Sequence, residues 1–276
     1  MFDPKTKKYP YTEYTDGHYI TIKKNKGINF DKDYPYLDES KKFKFKRFWF
    51  RIFFRLIVIP VSNIRLGLRV KGRKNLKKYK DVIKGGIISV CNHMHYWDYL
   101  GILHGIRYHK PKFLAWASNI NGGLGGAMRL VGGIPIPETG VHATMSFTKA
   151  INKHLNNGGW LHIYSEGSMW EYYKPIRPFK KGAATFACKL DKPILPMAYR
   201  YRKPCWIRRV IFKQIATLTL CIGEPIYKND TLDRHEQILE LTIRSHEEVC
   251  KLAGIDPKEN IYKPVYENSK KIVYYN

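Results

Sequence analysis

The chain has 276 residues, 44% hydrophobic and 14% aromatic, which excludes a chain too polar to fold and allows one sizeable core or two small ones. Its 49 Lys+Arg against 23 Asp+Glu give a formal charge of +26, a statement about anionic partners and not about fold. Cys91, Cys188, Cys205, Cys221 and Cys250 are odd in number and form no Cys-x-x-Cys pair, which argues for a reducing compartment and against a disulfide frame or structural zinc.

The N-terminus, MFDPKTKKYP, has no apolar signal-peptide core, so Sec-type secretion is not expected. Residues 1–41 are rich in Tyr, Lys and Asp and read as an extension, with a short extended segment at TDGHYITIKKNKG. Residues 42–69 are the most apolar stretch. Their longest charge-free run, Leu56 to Ile64, is far short of the ~20 residues a spanning helix needs, and Pro60 argues against a straight span. Arg47, Arg51 and Arg55 recur every four positions and would line one helical stripe, with Phe and Leu filling the remainder. That pattern predicts an interfacial helix with its arginines at lipid head groups. A core helix with a solvated arginine edge is the competing reading.

Residues 70–276 alternate between strand and helix signals. GGIISVCN, KFLAWAS, GGIPIPE, WLHIYSEGS, KPILPMAYRY and ATLTLCIGEPI read as strands. HATMSFTKAINKHLNNGG, KKGAATFACKLD and DTLDRHEQILELTIRSHEEVCKLAG read as helices. The expected fold is α/β: a mostly parallel central sheet with helices on both faces, preceded by the amphipathic segment. YRYRKPCWIRRVIFK (199–213) reads either as a lipid-facing cluster or as a hairpin whose edge is guarded by cations.

In open parallel sheets, sites gather beyond the carboxyl ends of the strands. NHMHYWD, PIPETG and YSEGSMW fall at three such ends. His93-x-His95 resembles half of a dinuclear metal motif, but the aspartate is one place late and no histidine follows it, so no metal is expected. His93 and Asp98 are five positions apart and would diverge by roughly 140° on a regular helix. They meet only if a strand ends at Asn92 and a helix starts near Trp97. The carboxylate would then fix the tautomer of an imidazole whose other nitrogen is a base.

Asn92, His93 and Asp98, then GGIPIPE, then SEGSM, then KPILPMA, with FKKGA between the last two, together resemble the glycerophosphate and 1-acylglycerol-3-phosphate acyltransferase family. The resemblance covers about residues 70–222. It implies acyl transfer from the thioester of acyl-CoA or acyl carrier protein, a co-substrate and not a cofactor, to the free hydroxyl of lysophosphatidic acid, giving phosphatidic acid. His93 would deprotonate the hydroxyl, held by Asp98, and no Ser or Cys nucleophile is required. Glu166, Gly167 and Ser168 occupy the third motif and are expected to bind substrate, with Glu166 organising the loop. Two arginines that often hold the acceptor's phosphate in that family are Glu138 and Met169 here. Lys174, Arg177, Lys180 and Lys181 downstream, and Arg129 upstream, are the candidates to replace them. The expected partners are a lysophospholipid, the acyl donor and an anionic membrane surface, at the cytoplasmic face, without nucleic acid. An acceptor other than lysophosphatidic acid is one alternative. A non-catalytic basic protein binding membrane or nucleic acid is another, and it leaves the ordered motifs unexplained.

Overall fold

The computed structural model describes residues 27–267 and 271–275. Most of the extended segment expected at 15–27 lies outside them. From Ile28 to Ser40 the chain packs on the domain. Phe30 and Tyr36 are buried, and Tyr36 meets Phe147 edge-on at 5.7 Å.

A helix starts at Ser40, whose hydroxyl accepts from the Phe43 amide. It runs unbroken through α1 (Lys41–Phe53), a π turn (Phe54–Val58) and α2 (Ile59–Leu66). Pro60 has no amide to donate, and its ring crowds the carbonyl four residues back. In the π turn Ile59 donates to Phe54, five residues back, and the wider turn carries the helix past the proline. No helix among the described residues is long and apolar enough to cross a membrane. The expected orientation of this helix needs a correction. Arg51 faces the protein, where burial pulls its pKa down to about 10, and Arg47 is half-buried. Phe45, Phe48, Trp49, Phe53, Leu56 and Ile64 point outward instead.

The elements that follow are β1 (Arg69–Lys71), α3 (Arg73–Lys78), α4 (Lys80–Lys84), β2 (Ile87–Cys91), α5 (Asp98–Gly105), β3 (Lys112–Trp116), α6 (Ala117–Asn121), α7 (Gly125–Val131), β4 (Gly133–Ile136), α8 (Val141–Asn156) and β5 (Trp160–Tyr164). Then come α9 (Gly182–Leu190), β6 (Ile194–Arg202), α10 (Trp206–Val210), β7 (Thr217–Ile222) and α11 (Arg234–Ala253). The sheet order is β1-β7-β6-β2-β5-β3-β4. Continuous apolar runs make strands that bury both faces. Ile88, Val90, Leu161 and Ile163 face α8, α9 and α11, while Ile87, Cys91, Trp160 and Tyr199 face α4 and α5. The mostly parallel sheet with helices on both faces is the architecture expected.

Two features were not read from sequence. β7 runs antiparallel to β6, and β1 pairs parallel with β7. The 203–216 connection holds only the short α10, too little for a crossover, so the chain returns beside β6. The hairpin with a guarded edge read at 199–213 is therefore corrected: Tyr199–Arg202 end β6, which lies between β7 and β2, Trp206–Val210 form α10, and β1 covers the far edge of β7. A separate antiparallel pair, β8 (Lys263–Glu267) with β9 (Lys271–Tyr275), ends the described chain.

Candidate active site

β2 ends at Cys91, and α5 begins at Asp98. The bend between them brings the two predicted side chains together. His93 Nδ1 lies 2.7 Å from Asp98 Oδ2. The carboxylate can only accept, so Nδ1 carries the proton and Nε2 is left as the basic nitrogen. Asp98 is fully buried at the first turn of α5, where the helix dipole favours a negative charge. Its Oδ2 also accepts from the Met94 amide at 3.2 Å. The His93 side chain stays 26% exposed, so a ligand can reach it.

Neighbouring strands fix this loop. Asn92 spans to β6, accepting from the Tyr199 amide at 2.8 Å and donating to the Tyr199 carbonyl at 3.2 Å. The Tyr199 hydroxyl donates to the Asp98 carbonyl. α5 crosses Tyr199 at Gly101, where a Cβ would sit 2.2 Å from that hydroxyl. The imidazole of His93 stacks on the Tyr164 ring at 4.1 Å, with planes 14° apart. Behind it, His162 Nδ1 pairs with the Ser89 hydroxyl at 2.8 Å, and burial drives its pKa down to about 3, so it is neutral at pH 7. Tyr164 is a site residue that sequence reasoning missed. The one available signal is its place two residues before Glu166, and a strand-end tyrosine usually means packing.

The third-motif loop holds the backbone of His93. Glu166 Oε2 accepts from the His93 amide at 3.1 Å, and the His93 carbonyl accepts from the Trp170 amide at 3.2 Å. Arg177 Nη2 meets Glu166 Oε2 at 2.9 Å, and its Nη1 donates to the Ser168 hydroxyl at 2.9 Å. The guanidinium also lies over the Trp170 ring at 4.6 Å. Glu166, Ser168 and Arg177 are all buried and turned toward one another. Gly167 is exposed with φ +80, and the Lys180 side chain lies against it, within 2.6 Å of where a Cβ would be. Lys174 is half-buried on the same loop.

The remaining candidates lie elsewhere. Arg129 pairs with Asp38 at 3.5 Å, tying α7 to the N-terminal segment. Met169 is buried and Glu138 is exposed. His95 accepts from the Trp97 amide at 3.0 Å and faces Glu171 at 4.0 Å. Cys91 is buried in strand packing, and burial raises its pKa well above the thiol range, which removes it as a nucleophile. Beside the loop a cavity of about 370 Å³ opens between Trp97, Tyr172, Phe212, Arg65 and Lys213.

No curated protein sequence matches the chain. Among solved structures, the chain is similar in fold to the 1-acyl-sn-glycerophosphate (LPA) acyltransferase PlsC from Thermotoga maritima. The TM-score is 0.50 at 18% identity, over 79% of this chain and 85% of that one. The Acyltransferase family pattern matches residues 67–200, the stretch that holds His93, Asp98 and the Glu166 loop. Residues 67–200 are thus similar in sequence pattern to the acyltransferase family, and the chain shares the fold of that solved acyltransferase.

Proposed function

We propose that the protein transfers a fatty acyl group from an acyl thioester to the free hydroxyl of lysophosphatidic acid. The observation that carries this reading is the 2.7 Å His93–Asp98 pair with the imidazole still open to solvent. Nε2 of His93 takes the hydroxyl proton as the oxygen attacks the thioester carbonyl. Asp98 stabilises the imidazolium that forms. The tetrahedral intermediate collapses, the C–S bond breaks, and the thiolate leaves with the proton from His93. Glu166, Ser168 and Arg177 keep the loop in register. Gly167, Lys174 and Lys180 lie on its accessible side, where the cationic groups can meet an anionic substrate.

A second acceptor is favoured by one observation: the two positions at which the family often carries a phosphate-binding arginine hold exposed Glu138 and buried Met169. A lysophospholipid with a larger or less charged head group suits that exchange. The outward aromatic stripe of α1 and α2, with Trp206, Ile207 and Phe212 exposed on and beside α10, provides the surface for peripheral membrane attachment.

The test is thiol release from acyl-CoA by the full chain, with lysophosphatidic acid and other lysophospholipids as acceptors. Acceptor-dependent thiol release that His93→Ala abolishes is expected. Release at the background rate with every acceptor and donor, or undiminished release by His93→Ala, ends the proposal.

A further inference from the structure

At the opposite end of the sheet from His93, the first residue of β3 raises a separate question. Lys112 is 8% exposed and has no hydrogen bond or ion pair among the described residues. A lysine this buried is ordinarily paired, because an uncompensated charge is costly to remove from water. Its surroundings make the situation worse. Arg47 and Arg129 flank the Phe43 ring from 5.6 and 5.3 Å. Arg51, one turn further along α1, is half-buried. Burial first, and then the fields of Arg47, Arg51 and Arg129, pull the Lys112 pKa down to about 8, with Asp38 acting against them.

The nearby acids do not balance this group. Asp38 reaches Arg129 at 3.5 Å and also accepts from the Ser40 amide. Glu39 is bonded to Lys153 at 2.7 Å. His154, also near, is held neutral by burial while its Nε2 lies 3.1 Å from the Trp160 carbonyl. Four cations from α1, α7 and β3 thus lie near two carboxylates, Asp38 and Glu39, each already bonded to another group. A single carboxylate ligand would leave the group strongly positive. A phosphate carries about −1.5 to −2 charges with several acceptor oxygens, and guanidinium groups match it two bonds at a time.

We propose that Lys112, Arg47, Arg51 and Arg129 form a phosphate-binding site between α1 and the start of β3, distinct from the candidate active site. The phosphate is either free in solution or the head group of an anionic lipid. The exposed aromatics on the opposite face of α1 bring a lipid surface within reach of the same helix. This site does not depend on the transferase reading.

Thermal unfolding of the full chain in sodium phosphate, against sodium chloride at matched ionic strength, tests it. Phosphate should raise the wild-type midpoint by about 2 °C or more beyond chloride. Lys112→Met should melt no lower than wild type in chloride, since it removes an unpaired buried charge, and should lose the phosphate-specific rise. Arg51→Met provides the same reading if the first variant folds poorly. No phosphate-specific rise in the wild type, or an equal rise in the variants, overturns the site. Cosedimentation with neutral vesicles, with and without phosphatidic acid, separates the sources. A phosphatidate preference lost in Lys112→Met identifies the lipid head group. A preference unchanged in Lys112→Met, with the phosphate-specific rise lost, identifies free phosphate.

Discussion

Two pairs, each a nitrogen base with a carboxylate, stand on either side of His93's backbone, and they differ in access and in chemistry. His93 with Asp98 leaves the imidazole a quarter exposed, whereas Arg177 with Glu166 is sealed, the guanidinium at 1% exposure. Both pairs are closely hydrogen-bonded. An open, neutral imidazole can take a proton, whereas a sealed and permanently charged guanidinium can only hold a loop.

Substitutions that act on one pair at a time sharpen this contrast. His93→Gln, whose amide can still donate to Asp98, should cost about 10²–10⁴ in kcat, the usual worth of a general base, with the melting midpoint nearly unchanged. A comparable loss of stability would move His93 to the structural side. Arg177→Met should do the reverse. It strands a buried carboxylate, so urea denaturation should show a loss of about 3–5 kcal/mol. A variant that stays stable but loses only affinity for acceptor would make Arg177 a ligand contact.

Acid should act on what lies behind the dyad. His162 and His246 have pKa values lowered by burial to about 3 and about 4. The unfolded chain binds their protons first, near the ordinary value of about 6.5. Their contribution is therefore fully present above pH 6.5 and is lost as pH falls toward 4 and then 3. Stability from urea melts should drop by up to about 1.4 kcal/mol per pH unit for each histidine. His162→Gln should flatten that slope, and an unchanged slope would remove His162 from the account.

Smaller effects probe the stack and the surface. Tyr164→Phe keeps the ring under His93 and should cost less than about tenfold in kcat, whereas Tyr164→Ala should cost more, because the imidazole loses its support. Equal rates in the two would dismiss the stack. Phe48→Ser with Trp49→Ser should change stability by no more than about 0.5 kcal/mol per site, as at other exposed positions, yet sharply reduce flotation with liposomes. Unfolding instead would mean that this face packs against protein.

Much of this architecture was legible in the sequence. Strand signals at Ile87–Cys91, Lys112–Trp116 and Trp160–Tyr164 are runs of apolar residues that only a two-sided sheet can bury. An Asp or Thr cap and Gly254 were readable as the ends of α11, and the structure shows Asp233 as the cap and Gly254 in a left-handed turn, which satisfy the helix ends by local chemistry. The spacing of His93 and Asp98 required a bend, and a strand end followed by a helix start supplies it.

Amphipathicity in α1 was equally plain, but its direction was not. Periodicity states that two faces differ and leaves open which one meets the protein, and Arg51 turned inward. Arg177 read as a candidate phosphate-binding cation, a reading corrected by its enclosure against Glu166 and Ser168, and Tyr164 read as packing until His93 lay on its ring. The sequence by itself determined most of the elements, their order and the candidate His93–Asp98 pair, because those depend on local pattern and spacing. Only the tertiary structure decided which charges are buried, which strands reverse and which rings touch, because those depend on neighbours far apart in the chain.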